Sequence, residues 1–178
     1  AGDKREVILS GEAYFDVVKD ESAPFIVKTE SGKIEVLGTE FNIKCYSDES
    51  ALVTTLVNGK VKFDDGMNPS VILKPEEQLI FEKENCQSIV RKINVNHYIG
   101  WKDNRLSFQG ERLDMIMKTL SRWYNVEVVF EDSTLKALEF SGNLDKFTNI
   151  QEFLSLFELG VNVKFEIKDR TVYIRKGN

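Results

Sequence analysis

The sequence is poor in the residues from which reactive centres are usually built. Of 178 residues one is a histidine, His97, and two are cysteines, Cys45 and Cys86. One histidine excludes a multi-histidine metal site, and His97 reads as a linker or interface residue rather than a catalytic base. Cys45 falls on an apolar strand face, the setting of a small core hydrophobe. Cys86 lies in ENCQS, a turn-like stretch. A bridge between the two is open to an oxidising compartment, but sequence does not fix the geometry it needs. Three prolines and no low-complexity tract argue against disorder. No apolar run reaches the roughly 18 residues that would cross a bilayer, and no signal peptide is present. Glycine-rich phosphate loops, nucleophile elbows, C-x-x-C and H-E-x-x-H motifs are missing as well. The sequence therefore offers no catalytic residue, no cofactor-binding residue and no metal ligand set.

What is there is the composition of a soluble globular protein, 30% charged and 42% apolar. The formal net charge is −5. Residues 1–100 hold 12 basic and 17 acidic side chains, and residues 101–178 hold 12 of each. The acidity belongs to the first half. Without a face-sized basic cluster, an acidic chain repels phosphate backbones, so nucleic-acid binding is excluded. The adjacent carboxylates Asp48-Glu49, Asp64-Asp65 and Glu76-Glu77 read as solvated loops. A glycosidase pair would need one carboxyl in a desolvated pocket across a cleft from the other.

The first 95 or so residues alternate apolar and polar in short runs, the period of strands. These runs are EVILSGEAYFDVV, PFIVKTE, KIEVLGTEFNIKCY, ALVTTLVNGKVKF, SVILKPEEQLIFEK and QSIVRKINV. Asn58-Gly59 is the strongest hairpin signal, and Ser31-Gly32 and Asp65-Gly66 mark further turns. One run breaks its own rule. In IEVLGTEFNIKCY the inward residues are Ile34 and Val36, then Phe41, Ile43 and Cys45, with Asn42, Lys44 and Tyr46 on the other face. A period of two cannot change parity unless the chain bends, and Gly38 sits at the break.

After His97 the pattern changes. LSFQG at 106–110 returns as LEFSG at 138–142, offset by 32 residues. Each copy precedes a helix and then a strand, NVEVVF at 125–130 and GVNVKF at 160–165, and TVYIR at 171–175 follows. In the first helix Leu113, Ile116, Met117, Leu120, Trp123 and Tyr124 make one stripe at helical period. Asn125 is placed for a left-handed cap, and Met115 lies off the stripe, at the surface. The second helix opens on Thr148-Asn149-Ile150-Gln151, a capping-box pattern. It buries Ile150, Phe153, Leu154 and Phe157 and ends at Gly160. The expected fold is mixed: an all-β domain over 1–96, then a small α+β domain of βαβ–βαβ–β order over 101–178. The short NHYIGWKDN between them carries Tyr98, Ile99 and Trp101, a mark of packed rather than tethered domains.

The order of several stretches carries a family likeness. LSGEAYFDV, PFIVKT, VLGTEFNIKCYSDE, TTLVNGKVKF, LKPEEQLIF and WKDNRLSFQGERLDMIMKTLSRWYNVEVVF together resemble the periplasmic part of FecR-like anti-sigma factors of the Bacteroidetes type. From Leu106 the chain is similar to the short N-terminal domain of secretins and TonB-dependent receptors. The resemblance implies that the β half is solenoid-like, with VLGTEF as a corner turned at Gly38 and Thr39. It implies a β half truncated at its N-terminus, since the family has further strands before Ala1-Gly2-Asp3. It also implies a parent protein anchored in the inner membrane by a single helix absent here, with this region in the periplasm. Such a region binds the signalling domain of a TonB-dependent outer-membrane receptor, while a cytoplasmic segment, also absent, holds an extracytoplasmic-function sigma factor. Where the family often has Asn ahead of the first helix, this chain has Gln109-Gly110, a weaker cap. The expected partner surface is the first strand and helix of the second half: Ser107, Gln109, Met115, Lys118 and Arg122. Two alternatives stand beside this reading. A structural assembly module would self-associate. A carbohydrate-binding domain would expose an aromatic row, with Trp101, Trp123 and Tyr124 as its candidates.

Overall fold

Each alternating run of the first half becomes one or two strands, because each breaks where a turn residue interrupts it. The computed structural model describes residues 5–145 and 149–177. The strands are β1 (Arg5–Ile8), β2 (Gly11–Asp16), β3 (Phe25–Thr29), β4 (Gly32–Val36), β5 (Glu40–Cys45), β6 (Ala51–Asn58), β7 (Val61–Asp64), β8 (Val71–Leu73), β9 (Glu77–Glu82) and β10 (Gln87–Lys92). They form two five-stranded sheets, ordered β1-β3-β4-β7-β8 and β10-β9-β6-β5-β2. Stacked solenoid coils would pair parallel strands from successive turns. In this half only β1 with β3 pairs in parallel among the described residues, and the other ladders are antiparallel. One core lies between the sheets: Val27, Ile34, Val36, Val61, Phe63 and Leu73 from the first, Phe41, Ile43, Cys45, Leu52, Leu56, Leu79 and Phe81 from the second. Phe63 and Phe81 meet across it, their ring centroids 5.1 Å apart. Cys45 is buried and Cys86 half-buried, and both are free thiols.

The parity break at Gly38 is a change of sheet. β4 belongs to the first sheet and β5 to the second, so residues 37–39 carry the chain from one to the other. Val36 and Phe41 then both face the core. Gly38 does not need its freedom of φ there. It needs the missing side chain: a Cβ would sit 2.4 Å from the Lys19 Cα. The segment after β2 runs alongside, with Val17 and Thr39 exchanging amide hydrogen bonds of 3.0 and 3.1 Å and Asp20 N–H donating to the Leu37 carbonyl at 2.7 Å.

Asn58-Gly59 is a second corner and not the expected hairpin. β6 pairs with β5 and β9, whereas β7 pairs with β4 and β8. Gly59 has φ +93°, but Asn58 lacks the positive φ that a type I′ turn requires at both central residues. The two corners touch. A Cβ on Gly59 would lie 2.7 Å from the Gly38 carbonyl and 2.8 Å from Thr39 Oγ1. Thr39, buried, donates its hydroxyl to the Lys60 carbonyl at 2.9 Å and accepts the Lys60 N–H at 3.4 Å. One side chain thus ties together these two crossings between the sheets.

The outward face of the second sheet is polar yet covered. Tyr14, Asn42, Thr55, Gln78 and Arg91 stand opposite one another in register, one from each strand. Asn42, Thr55 and Gln78 are buried. The chain after β10 forms α1 (Asn96–Ile99) and a 3-10 turn (Gly100–Asp103), and its side chains reach residues along this row. The Arg91 guanidinium donates to Gln78 Oε1 at 2.7 Å and to the Tyr98 hydroxyl at 3.1 Å. Gln78 Nε2 donates to Thr55 Oγ1 at 2.8 Å. Trp101 Nε1 donates to Asn42 Oδ1 at 3.2 Å, and Lys102 Nζ lies 5.2 Å from the Tyr14 ring centre. A sheet face covered this way must find partners for its polar atoms: Arg91, Gln78 and Thr55 bond in sequence, while Asn42 is held by Trp101 and donates to Glu12. The short α1 and its turn escape a reading by helical period because neither is long enough to show one.

The chain divides into compact units at Ala1–Lys102 and Asp103–Asn178. The second contains β11 (Arg105–Arg112), α2 (Leu113–Tyr124), β12 (Glu127–Phe130), a 3-10 turn (Ser133–Ala137), β13 (Glu139–Asp145), α3 (Ile150–Glu158), β14 (Val163–Lys168) and β15 (Thr171–Lys176). The two copies of the repeated strand pair with each other, β11 antiparallel to β13. The second strand of each repeat lies in another sheet, ordered β12-β15-β14, with β15 inserted between them. Neither repeat is therefore a βαβ unit with both strands in one sheet. The stripes fall where helical period puts them: Leu113, Ile116, Met117 and Leu120 of α2 and Phe153, Leu154 and Phe157 of α3 are buried. Trp123, Tyr124 and Ile150 pack against that core half-buried. Asn125 takes the left-handed cap, φ 53° and ψ 54°, with its N–H on the Ser121 carbonyl. The cap of α3 sits one residue later than its sequence pattern. Asn149 accepts the Glu152 N–H at 2.9 Å and donates its side-chain amide to Glu152 Oε1, also at 2.9 Å; Thr148 lies outside the described residues. Gly160 is not a left-handed cap. The helix ends through Leu159 in right-handed conformation, φ −72° and ψ −26°. Among the described residues no helix is long and apolar enough to cross a membrane.

Thr39→Val keeps the shape of the side chain but strands the Lys60 backbone groups, and is expected to lower the unfolding free energy by about 1–3 kcal/mol in urea denaturation. Arg91→Ala leaves Gln78 Oε1 without its donor beneath Tyr98, and a loss of about 1–3 kcal/mol is expected in the same assay.

Candidate partner-binding surface

The surface starts from β11, where buried Leu106 and Phe108 alternate with Ser107 and Gln109. Alternation sends the second pair to the face away from the core. Ser107 is half-buried and donates its hydroxyl to Asn143 Oδ1 at 2.6 Å, across to β13. Gln109 is exposed. It precedes a bulge, since the register with β13 shifts between Phe108 and Glu111. Gly110 supplies the left-handed conformation there, φ +62°, and its N–H donates to Ser141 Oγ at 2.8 Å. Gln109-Gly110 thus shape the strand and do not occupy the helix cap, which falls on Arg112.

Arg112 gives α2 no side-chain cap. Two other contacts stand in. The Leu113 N–H donates to the Leu138 carbonyl at 2.7 Å, and the Arg112 guanidinium grips Asp114 with bonds of 3.1 and 2.8 Å. That pair holds the Asp114 carboxyl below its ordinary range, and its negative charge sits in the first turn, where a helix favours it.

On α2, Met115, Lys118 and Arg122 recur at helical spacing opposite the buried stripe. All three are half-buried, Met115 included. Helical period gives the direction of a side chain relative to its own core and nothing about what else covers it. The five expected surface residues therefore form two sets, Ser107 and Gln109 on the outward face of the ribbon and the other three along the outward side of α2.

The remaining candidates build structure. Glu49 is buried and pairs with Lys44 at 3.0 Å, against its reading as a solvated loop residue, because its carboxylate turns back onto β5. Asp64 pairs with Lys33 at 3.0 Å, and Asp65 accepts the N–H groups of Met67 and Asn68. Glu77 accepts the Lys74 N–H at 2.8 Å. His97 is half-buried in α1. Trp101, Trp123 and Tyr124 are half-buried, with Trp101 bonded to Asn42 and the other two packed on the core. They do not form the exposed row that a sugar platform would need. Among the described residues no group of three or more His, Cys, Asp or Glu side chains is placed to hold a metal ion.

Two family models match the sequence, one described as FecR protein over residues 1–62 and one as FecR, C-terminal, over residues 105–174. The chain is a FecR-like anti-sigma factor region. Two crystal structures of a protein assigned as an anti-sigma factor in Parabacteroides distasonis resemble it, each 25% identical. Their TM-scores are 0.88 and 0.87, and the match covers 99% of this chain and 82% of theirs. No curated protein matches the sequence. The C-terminal FecR match spans β11 through most of β15, so the ribbon and α2 both lie inside it.

Among the described residues of that FecR-like unit, Asp132 has a strongly lowered carboxyl pKa. Its pKa is held down at about 2, first by the Thr134 hydroxyl, then by Lys176 and the Thr134 N–H. The group caps the 3-10 turn and ties it to β15 through Lys176 at 3.0 Å. A carboxyl whose folded pKa lies below its unfolded value of about 3.9 stabilises the fold above that value. The contribution disappears as pH falls from about 4 to 2. Asp132→Asn is expected to melt below the wild type at pH 6, with the gap in Tm closing between pH 4 and pH 2 in thermal scans.

Proposed function

We propose that this chain is the signal-receiving region of a transmembrane anti-sigma factor and works by binding rather than by catalysis. It binds the periplasmic signalling domain of a TonB-dependent outer-membrane transducer, and its parent protein controls an extracytoplasmic-function sigma factor through a cytoplasmic segment. The observation that carries the reading is the β11–β13 ribbon within the C-terminal FecR match. Its outward side chains, among them Gln109, Ser141 and Asn143, are polar and exposed, while its inward ones anchor it in the core. A strand pair with an exposed polar face and a bulge beside it suits recognition by complementary shape and hydrogen bonding. Strand addition at a sheet edge of this unit is the mode that such a ribbon favours. A stable contact of this kind buries roughly 1,200 Å² or more in total. Gln109 and Ser107 serve it from the ribbon, and Met115, Lys118 and Arg122 from α2.

Isothermal titration of the chain with the signalling domain of its co-encoded receptor tests the reading. A saturable complex is expected, weakened about tenfold by Gln109→Arg or Met115→Ala, the loss of roughly 1.4 kcal/mol typical of a contributing contact. Ile72→Ala, at the exposed position of β8 in the other unit, is expected to leave the affinity unchanged. No binding to any co-encoded receptor domain would refute it.

A further inference from the structure

β10 is an edge strand with all six of its residues exposed, including Ile89 and Val90. Its hydrogen-bonding direction follows from one contact just beyond its end. The Ile93 N–H donates to the Glu76 carbonyl at 2.9 Å. In an antiparallel ladder such paired residues recur at every second position. The register of β10 on β9 is unbroken, Gln87 opposite Glu82 through Lys92 opposite Glu77. Gln87, Ile89 and Arg91 therefore turn their backbone groups to β9, and Ser88, Val90 and Lys92 turn theirs outward.

Exposed edges are ordinarily blunted by charge, by proline or by a covering group. β14 shows one such device: Glu158 Oε1 accepts the Phe165 N–H at 2.8 Å. On β10 the charge that could serve is diverted. Arg91 is drawn down onto Gln78 and Tyr98. Lys92 stands at the end of the strand, and Ile89-Val90 at its middle is apolar.

We infer that β10 is a docking edge for a second copy of this chain, the two β10 strands pairing antiparallel about a two-fold axis at Val90. The sequence QSIVRK is suited to itself in that register. Lys92 of one copy stands opposite Ser88 of the other, and Arg91 opposite Ile89, so no like charges face each other. A parallel pairing would set Arg91 and Lys92 against their own copies. The outward amides and carbonyls of Ser88, Val90 and Lys92 satisfy one another, and the β10-β9-β6-β5-β2 sheet continues into its symmetry mate. The partner surface proposed above lies in the other unit, so this edge and that surface succeed or fail separately.

Analytical ultracentrifugation of the whole chain, from roughly 10 μM to roughly 1 mM, tests the inference, since even a millimolar contact is half-occupied at the upper end. The expected result is a weight-average mass rising with concentration from 20.4 kDa towards twice that value. Val90→Pro removes an outward N–H and leaves the β9 ladder intact, a place where an edge strand tolerates proline. Val90→Lys sets like charges across the two-fold axis. Both variants are expected to stay monomeric throughout with an unchanged circular dichroism spectrum. Should Val90→Pro unfold, Val90→Lys decides. A wild type that remains monomeric at 1 mM overturns the inference and leaves the edge to a strand of another protein. Folded variants that still dimerise overturn it too.

Discussion

Thr39 holds two crossings of the chain at once. Its hydroxyl joins the corner that leads from β4 into β5 to the corner that leads from β6 into β7. At these two corners the passage between the sheets brings backbone close to backbone. Gly38 against Lys19 and Gly59 against Gly38 leave no room for a Cβ. Buried backbone groups at such a junction must be paired, and a short branched hydroxyl residue with both donor and acceptor capacity does it within the available volume.

With the corners fixed, the second sheet presents a polar row on its outward side. Left in water the row would need no partners among the protein's own groups. Here the segment after β10 shields it, and every strand contributes one side chain to the resulting series from Tyr14 to Arg91. Buried hydrogen bonds of this kind add little net energy apiece but are costly to leave half-made, so they favour one register over its neighbours. Engaging Arg91 in that series also removes it from the edge on which it sits, and the apolar middle of β10 is left uncovered. A packing requirement on one face of the sheet thereby shapes how its edge meets other molecules.

The second unit uses a different logic. Its repeat is a pair of similar segments that zip to each other through β11 and β13, while β15 separates their remaining strands. The inward residues of both helices and of the ribbon make one core, in which the Phe157 ring meets those of Phe108, Phe140 and Phe153. The bulge at Gly110 bends the ribbon beside Gln109, and the Arg112–Asp114 pair starts α2 where no side-chain cap is available. A FecR-like unit built this way buries the stripes of both helices and leaves polar side chains of the ribbon at its surface.

Alternation and helical period alone determined the strands of the first half, the stripes of α2 and α3, the cap at Asn125 and the bend at Gly38, because each depends on neighbours a few residues apart. The family likeness was legible in the order of several short stretches. Tertiary structure decided the rest. Asn58-Gly59 reads as a hairpin until its two strands are seen in different sheets. Glu49 reads as solvated until Lys44 is found beside it, and Met115 reads as surface until its half-burial is seen. Local sequence fixes which way a side chain points. Only the folded chain brings residues distant in sequence, such as Asn42 and Trp101 or Thr39 and Lys60, within bonding distance, and burial, pairing and edge exposure all depend on such encounters.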